Sequence, residues 1–263
     1  MDRREFLKTA GAGVLGLTGV AYIGANRKSI AKYIMKDLQS DGKYDFTDDL
    51  LNNMEELLYG NIEYKTKIKY KLKEGKAPRE EENFGCGFRV GNKLITADHL
   101  ITMEELRENT PFGVYKIPVD TLDRKVYFPD GEGEIIYRNP ENDLALIEMP
   151  SEHGREYPLG NSDELEPGHI ISSVGKSDSI KEIVKTSRIV SKDGDYQLLI
   201  SKKMGPENVF LVWAQNYPGD SGGPVYAFRD GNPEVVGQIL AVHRGIGEDR
   251  KINHIKKLLK KYI

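Results

Sequence analysis

The sequence predicts an all-β protein, and three observations carry that prediction. From Ile62 onward, apolar and polar residues alternate with a period of two rather than 3.6. Short apolar runs then recur towards the carboxyl end, separated by Gly, Pro and Asp turns, as in a barrel or a sandwich. Helical spacing is confined to two stretches, 29–60 and 251–263. With 263 residues, 38% of them apolar, the chain can build a core, as one domain or two small lobes, since single cores stop growing at about 250–300 residues.

The first element, residues 1–28, reads as an address. Arg3-Arg4-Glu5-Phe6-Leu7-Lys8 precedes an uncharged run from Thr9 to Ala25, closed by Arg27 and Lys28. This resembles a twin-arginine export signal, with Asp2 a mild departure, and it implies export of the folded protein. Gly19-Val20-Ala21 has the small-x-small form of a cleavage site. The uncharged run, 17 residues long, is also just sufficient for an uncleaved anchor on the outer face of the cytoplasmic membrane.

Residues 29–60 are expected to form a helical extension. Thr47 is placed as an N-cap ahead of Asp48 and Asp49, Leu50, Leu51, Met54, Leu57 and Leu58 share a face, and Gly60 is the stop. Ile62, Tyr64, Thr66, Ile68, Tyr70 and Leu72 then alternate with charged residues, mostly lysines, as in a strand with one buried and one wet face. Runs 84–90 and 93–97, split by Gly91-Asn92, read as a hairpin. Further strands are expected at 126–128, 134–137, 144–148, 169–174, 182–190, 197–201, 209–213, 224–228 and 234–242. The terminal helix has an apolar stripe (Ile252, Ile255, Leu258, Leu259, Tyr262) flanked by lysines and is expected to pack on the second half of the β structure.

Charge and cysteine content narrow the function. Lys+Arg at 38 against Asp+Glu at 41 gives a net charge of −3, without a polybasic footprint for nucleic acid. The single cysteine, Cys86, excludes an intrachain disulfide framework and a cysteine-based zinc site. His153, His169, His243 and His254 lack metal-ligand spacing and are expected as surface or loop residues. With one apolar stretch near the ~17–25 residues of a span, a polytopic membrane protein is excluded and membrane contact is confined to the amino-terminal anchor.

Three stretches carry chemistry. His99 follows the apolar run Leu94-Ile95-Thr96-Ala97-Asp98, Asp143 heads Asp143-Leu144-Ala145-Leu146, and Ser221 lies in Pro218-Gly219-Asp220-Ser221-Gly222-Gly223-Pro224. An attacking serine needs an exposed hydroxyl and two backbone N–H groups aimed at the developing oxyanion. Glycines around it let the backbone turn back and free those donors, which here would be the N–H groups of Gly219 and Ser221. Gly219-x-Ser221-x-Gly223 also fits the nucleophile elbow of an α/β-hydrolase, but Gly222-Gly223-Pro224 opposes the helix that an elbow requires. The chain order His99, Asp143, Ser221 is that of the chymotrypsin arrangement.

These residues resemble the trypsin-like serine proteases, and more closely their HtrA/Deg branch. Gly85-Cys86-Gly87-Phe88 resembles that branch's Gly-Ser-Gly-Phe, and Asp143-Leu144-Ala145-Leu146 its Asp-Leu-Ala-Leu. Pro158-Leu159-Gly160-Asn161-Ser162-Asp163 looks like the stretch joining its two barrels, and Val235-Val236-Gly237 like the strand behind the nucleophile. The resemblance implies two antiparallel six-stranded β-barrels, one over 61–150 and one over 166–263, joined by a linker at 151–165. It implies a serine endopeptidase that cleaves polypeptides outside the cytoplasm through an acyl-enzyme, with protein quality control as the branch's role. His99 would be the base, Asp143 its orienter and Ser221 the nucleophile, with no metal or organic cofactor. The residues after Ser221 would finish the barrel and add a helix, leaving no room for a PDZ module.

Specificity follows from the same resemblance. Gln215 would sit at the floor of the first pocket, so a small or medium apolar side chain is expected there, and Leu240, Ala241 and Val242 would pair with the substrate backbone. Two departures stand out. Asp98 replaces a usual alanine beside the base, where it either faces the cleft or points to solvent. Asp220 matches the digestive enzymes, in which it pairs with a newly cut N-terminus, yet no activation site precedes the first barrel. A rival reading is a catalytically silent homologue that binds peptides or chaperones clients.

Overall fold

The computed structural model describes residues 20–21, 56–72, 77–110, 113–177, 180–194, 204–213, 219–229, 231–243 and 246–263. The export signal and most of the helical extension therefore lie outside the described residues. Val20–Ala21 forms a two-residue strand beside Val184 and Lys185, and the extension is described only from residue 56, ending in a 3-10 turn at Leu58–Gly60.

β1 (Ile62–Leu72) buries every second residue, as its alternation predicts. Its outward lysines are answered across the sheet by β2 (Arg79–Val90), where Glu82 pairs with both Lys65 and Lys67. Gly91, at φ 60, turns the chain into β3 (Lys93–Ala97). β4 (Glu105–Thr110) and β5 (Gly113–Phe128) form a hairpin, followed by β6 (Gly131–Asn139) and β7 (Leu144–Glu148). The antiparallel order β1-β2-β3-β7-β6-β5, with β5 pairing back to β1, closes a six-stranded barrel.

The second barrel is built from β8 (Ile170–Ser177), β9 (Ile180–Ser191), β10 (Val209–Trp213), β11 (Pro224–Arg229), β12 (Asn232–His243) and β13 (Ile246–Lys251). Its order is β9-β10-β13-β12-β11-β8, closed by β8 on β9. α1 (Ile252–Leu259) lies on β12 and β13 and buries Ile252, Ile255 and Leu259. Those side chains join Phe88, Leu144, Leu146, Val174 and Tyr226 in one apolar cluster shared by both barrels, so the helix also fastens one barrel to the other. At about 1.5–3 kcal/mol per fully buried large apolar side chain, this seam is a main source of stability.

The fold is the expected two-barrel one, with two differences in its elements. β4 and the first dozen residues of β5 are strand where no strand was expected, because charged residues interrupt the apolar pattern there. β13 reads Ile-Gly-Glu-Asp-Arg-Lys, which alternates nothing, yet its last five residues are buried. The expected strand at 197–201 lies outside the described residues.

Candidate active site

β3 ends at Ala97 and the chain tightens into the 3-10 turn Asp98–Leu100, which presents His99 at the barrel rim. The side chain of His99 is 46% exposed. Asp143 ends the turn before β7, and β7 pairs with β3, so the two residues meet across adjacent strands. One carboxylate oxygen of Asp143 lies 2.8 Å from His99 Nδ1, and the other accepts the His99 backbone N–H at 2.8 Å. This double contact fixes both the ring and the turn that carries it.

Asp143 adopts φ 50, a left-handed conformation that Asp tolerates better than most side chains. The neighbouring contacts hold it there. Its carbonyl accepts from the Asp98 N–H at 3.0 Å and from the Arg250 guanidinium at 2.9 Å, and Arg250 also donates to the Asn142 carbonyl. Arg250 is fully buried on β13 and donates to Gln238 Oε1 at 2.5 Å, so the second barrel clamps the turn of the first. Burial would raise the Asp143 carboxyl. The hydrogen bonds from His99 and the charges of His99 and Arg250 outweigh it and hold the group below the usual carboxylate range. Burial lowers Arg250 itself to about 10.

Ser221 lies in the turn before β11. Gly219 at φ 97 and Gly222 at φ 85 flank it, both in the region that favours glycine. A Cβ on Gly222 would come within 2.2 Å of the Cys86 carbonyl, 2.7 Å of Thr96 Oγ1 and 3.1 Å of Leu100 Cδ1. The serine turn is therefore seated against the residues on either side of His99. Among the described residues, the N–H groups of Gly219 and Ser221 donate to no protein acceptor. The Ser221 hydroxyl donates to the Leu240 carbonyl at 3.2 Å, and no hydrogen bond joins it to His99. Leu240 sits at a bulge in the pairing of β12 with β13, which turns its carbonyl out of the ladder.

The remaining expectations fall as follows. Leu240 and Ala241 lie on β12 beside Ser221, and Leu240 packs with Met204 and Val209 in a small apolar cluster. Gln215 lies outside the described residues, as does the side chain of Val242. Cys86 is buried, donates to the Gly219 carbonyl at 3.4 Å and accepts from Asn61 at 3.6 Å. A cleft of about 360 Å3 opens beside it, lined by Glu63, Glu82, Phe84 and Gly219.

Asp98 neither faces the cleft nor points to solvent. It is buried and takes a two-pronged contact from Arg138, at 2.7 and 2.8 Å, because a carboxylate that leaves water needs a geometrically matched cation. His254 is likewise no surface or loop histidine: it is half-buried on α1, with Nε2 2.9 Å from Asn142 Oδ1. The partners of Arg138 and Arg250 were not signalled in the sequence. Among the described residues no cluster of His, Cys, Asp and Glu could hold a metal ion.

Residues 85–237, more than half of the chain, match the family described as the trypsin-like peptidase domain. The chain is similar to a "probable periplasmic serine endoprotease DegP-like" of Pseudomonas fulva (strain 12-X). The two are 27% identical over 169 residues, which covers 62% of this chain and 30% of that protein. A protein of the same description from Chlamydia pneumoniae is 28% identical over 163 residues, covering 62% of this chain and 28% of its own length. This chain thus spans about 30% of the length of these curated relatives. Among solved structures, an HtrA-type protease AlgW variant with a decapeptide shares the fold at a TM-score of 0.58 and 16% identity, over 80% of this chain and 66% of that one. AlgW with a tripeptide gives 0.51 and 19%, over 74% and 59%. By the match over residues 85–237, the chain belongs to the family of trypsin-like peptidase domains.

Proposed function

We propose that the protein is a serine endopeptidase that hydrolyses polypeptides outside the cytoplasm, with His99, Asp143 and Ser221 as its catalytic residues. The observation that carries this reading is the 2.8 Å contact between His99 Nδ1 and Asp143, beside a glycine-flanked serine turn seated against the same strand. The bond from Asp143 to Nδ1 leaves His99 Nε2 as the nitrogen that can take a proton. The Ser221 hydroxyl is held at rest by the Leu240 carbonyl, and the reaction requires it to exchange that acceptor for His99.

The reaction then runs in two halves. Ser221 Oγ attacks the substrate carbonyl as His99 Nε2 takes its proton, and the N–H groups of Gly219 and Ser221 receive the oxyanion. His99 returns the proton to the leaving amine as the peptide C–N bond breaks, which leaves an acyl-enzyme. Water, deprotonated by His99, releases the acid and regenerates Ser221. The substrate strand lies along Leu240, Ala241 and Val242. A first pocket for small or medium apolar side chains remains the expectation that the resemblance implies. Export through the amino-terminal signal is supported by the arginine pair and by the periplasmic relatives, and a role in protein quality control rests on the resemblance to the HtrA/Deg branch alone.

A fluorophosphonate probe tests the reading. Wild type is expected to label and to cleave an unfolded protein substrate, while Ser221→Ala loses labelling and at least about 10^4-fold of its hydrolysis rate. Absence of labelling in the wild type would instead favour a silent peptide-binding homologue.

A further inference from the structure

Asp220 directly precedes Ser221, and its side chain points the other way, into the second barrel, where it is fully buried. Two strands receive it. β8 leaves a gap at Gly175, where a Cβ would come within 2.1 Å of Asp220 Oδ1. β9 brings up Lys185, 2% exposed, whose ammonium forms an ion pair with Asp220 Oδ2. The partner of Asp220 is therefore internal to the folded chain, and no freshly cut N-terminus is needed to answer this carboxylate.

We infer that Lys185 is a positioning residue for catalysis: its ammonium holds the Asp220 carboxylate beneath the serine turn and so keeps the N–H groups of Gly219 and Ser221 aimed at the oxyanion. This rests on the protease reading and adds to it a residue 35 positions away from its partner. The turn has flexible joints at Gly219 and Gly222, both left-handed, and between them one side chain is anchored in the core. If the anchor leaves, the joints let the turn rotate, and the peptide dipoles rotate with it.

Charge decides whether the anchor stays. A carboxylate without a counter-ion at this depth costs several kcal/mol and moves to water if the backbone allows it. Among the described residues, Asp249 and Cys86 also face Lys185, with Glu248 beside Asp249. Burial pushes the Asp249 carboxyl well above its ordinary range, against the pull of the Lys185 charge. Burial lowers Lys185 on balance, while the charge and hydrogen bond of Asp220 pull it back up, so the two groups are tied to each other.

The test uses a peptidyl phosphonate with an apolar first residue, resolving the inactivation rate from the inhibitor's binding constant. Loss of one oxyanion donor costs about 10^2–10^3 in rate, so Lys185→Met should inactivate at least about 100-fold more slowly, with its binding constant within about threefold of wild type. Gly175→Ala, which pushes the carboxylate out from the other side, should show the same split. Lys185→Met/Asp220→Asn, which removes both charges of the pair, should recover to within about tenfold of wild type. Circular dichroism monitors folding, and if Lys185→Met does not fold, the other two variants decide. A folded Lys185→Met or Gly175→Ala at wild-type rate, a loss lying wholly in binding, or a double variant without recovery overturns the inference. Wild type that never labels overturns the protease reading and this inference together. Wild type that labels no faster than Lys185→Met overturns the inference alone.

Discussion

The two barrels hold their shares of the site in different ways. The first is filled by Ile62, Tyr64, Leu94, Val126, Ala145 and Ile147, and apart from Asp98 its buried polar side chains among the described residues, Asn61, Thr66 and Thr96, are neutral. Tyr64 OH donates to Thr96 Oγ1 at 2.7 Å, and Thr96 in turn donates to the Cys86 carbonyl at 2.7 Å. The second barrel has an apolar cluster of Ile171, Ile189, Phe210, Val225 and Val236, but behind the serine turn it buries Lys185, Asp220, Glu248, Asp249 and Arg250. Apolar contacts are non-directional and tolerate small shifts. Buried ion pairs add little net stability, yet each is costly to break and is satisfied in only one arrangement. The first barrel thus behaves as the frame, and the second sets the orientation of the turn and, through Arg250, of Asp143.

Substitutions can break or sharpen that contrast. The largest loss of stability is expected for Arg250→Met, which removes the donor to Gln238 Oε1 and to the Asn142 carbonyl, leaves the Asp143 carbonyl with the Asp98 N–H alone, and removes a charge that favours ionised Asp143. Urea unfolding should show about 3–5 kcal/mol lost, with hydrolysis slowed as Asp143 loses its clamp. A cost below about 1 kcal/mol would mean that the second barrel does not hold the first in this way.

Asp98→Asn probes the charged exception in the first barrel. Its two-pronged contact with the partly exposed Arg138 should make the substitution cost about 2–3 kcal/mol. Because Asp98 faces away from the cleft, the pH dependence of labelling should stay that of the wild type. A shifted profile would put its charge into the chemistry of the base.

The smallest effect concerns α1, where burial and the charges of Arg250 and Lys257 lower His254 to about 4. In the unfolded chain His254 takes up its proton near pH 6.5. Between about 6.5 and about 4 the unfolded state therefore binds more protons, and stability falls as pH falls through that window. His254→Gln should flatten this slope by about 1–2 kcal/mol, allowing for solvent screening of a half-buried group. Thermal unfolding at pH 4.5 and at pH 7 checks it, and an unchanged slope would assign the acid limb to carboxylates such as Asp143, whose depressed pKa stabilises the fold above its titration range.

Legibility in the sequence follows the same divide. β1 could be read residue by residue, because a strand with one apolar face writes its burial as alternation. β13 could not, because Glu248, Asp249 and Arg250 are buried against partners on other strands and look like a solvated loop. His99, Asp143 and Ser221 stood out because local residue type and glycine content already constrain such chemistry. Arg250 did not, since the carbonyls it holds lie 107 and 108 positions away.

What the sequence determined alone was the all-β character, the glycine-flanked serine turn and the chain order of the three candidate residues. Each depends on neighbours in the chain: side-chain period, backbone freedom, and which residue types can carry a proton. Tertiary structure alone decided that Lys185 answers Asp220, that Arg138 answers Asp98 and that the Ser221 hydroxyl rests on Leu240. The energy of a buried charge depends on distance through space and on the water removed around it, and both are set only when the strands have closed into barrels.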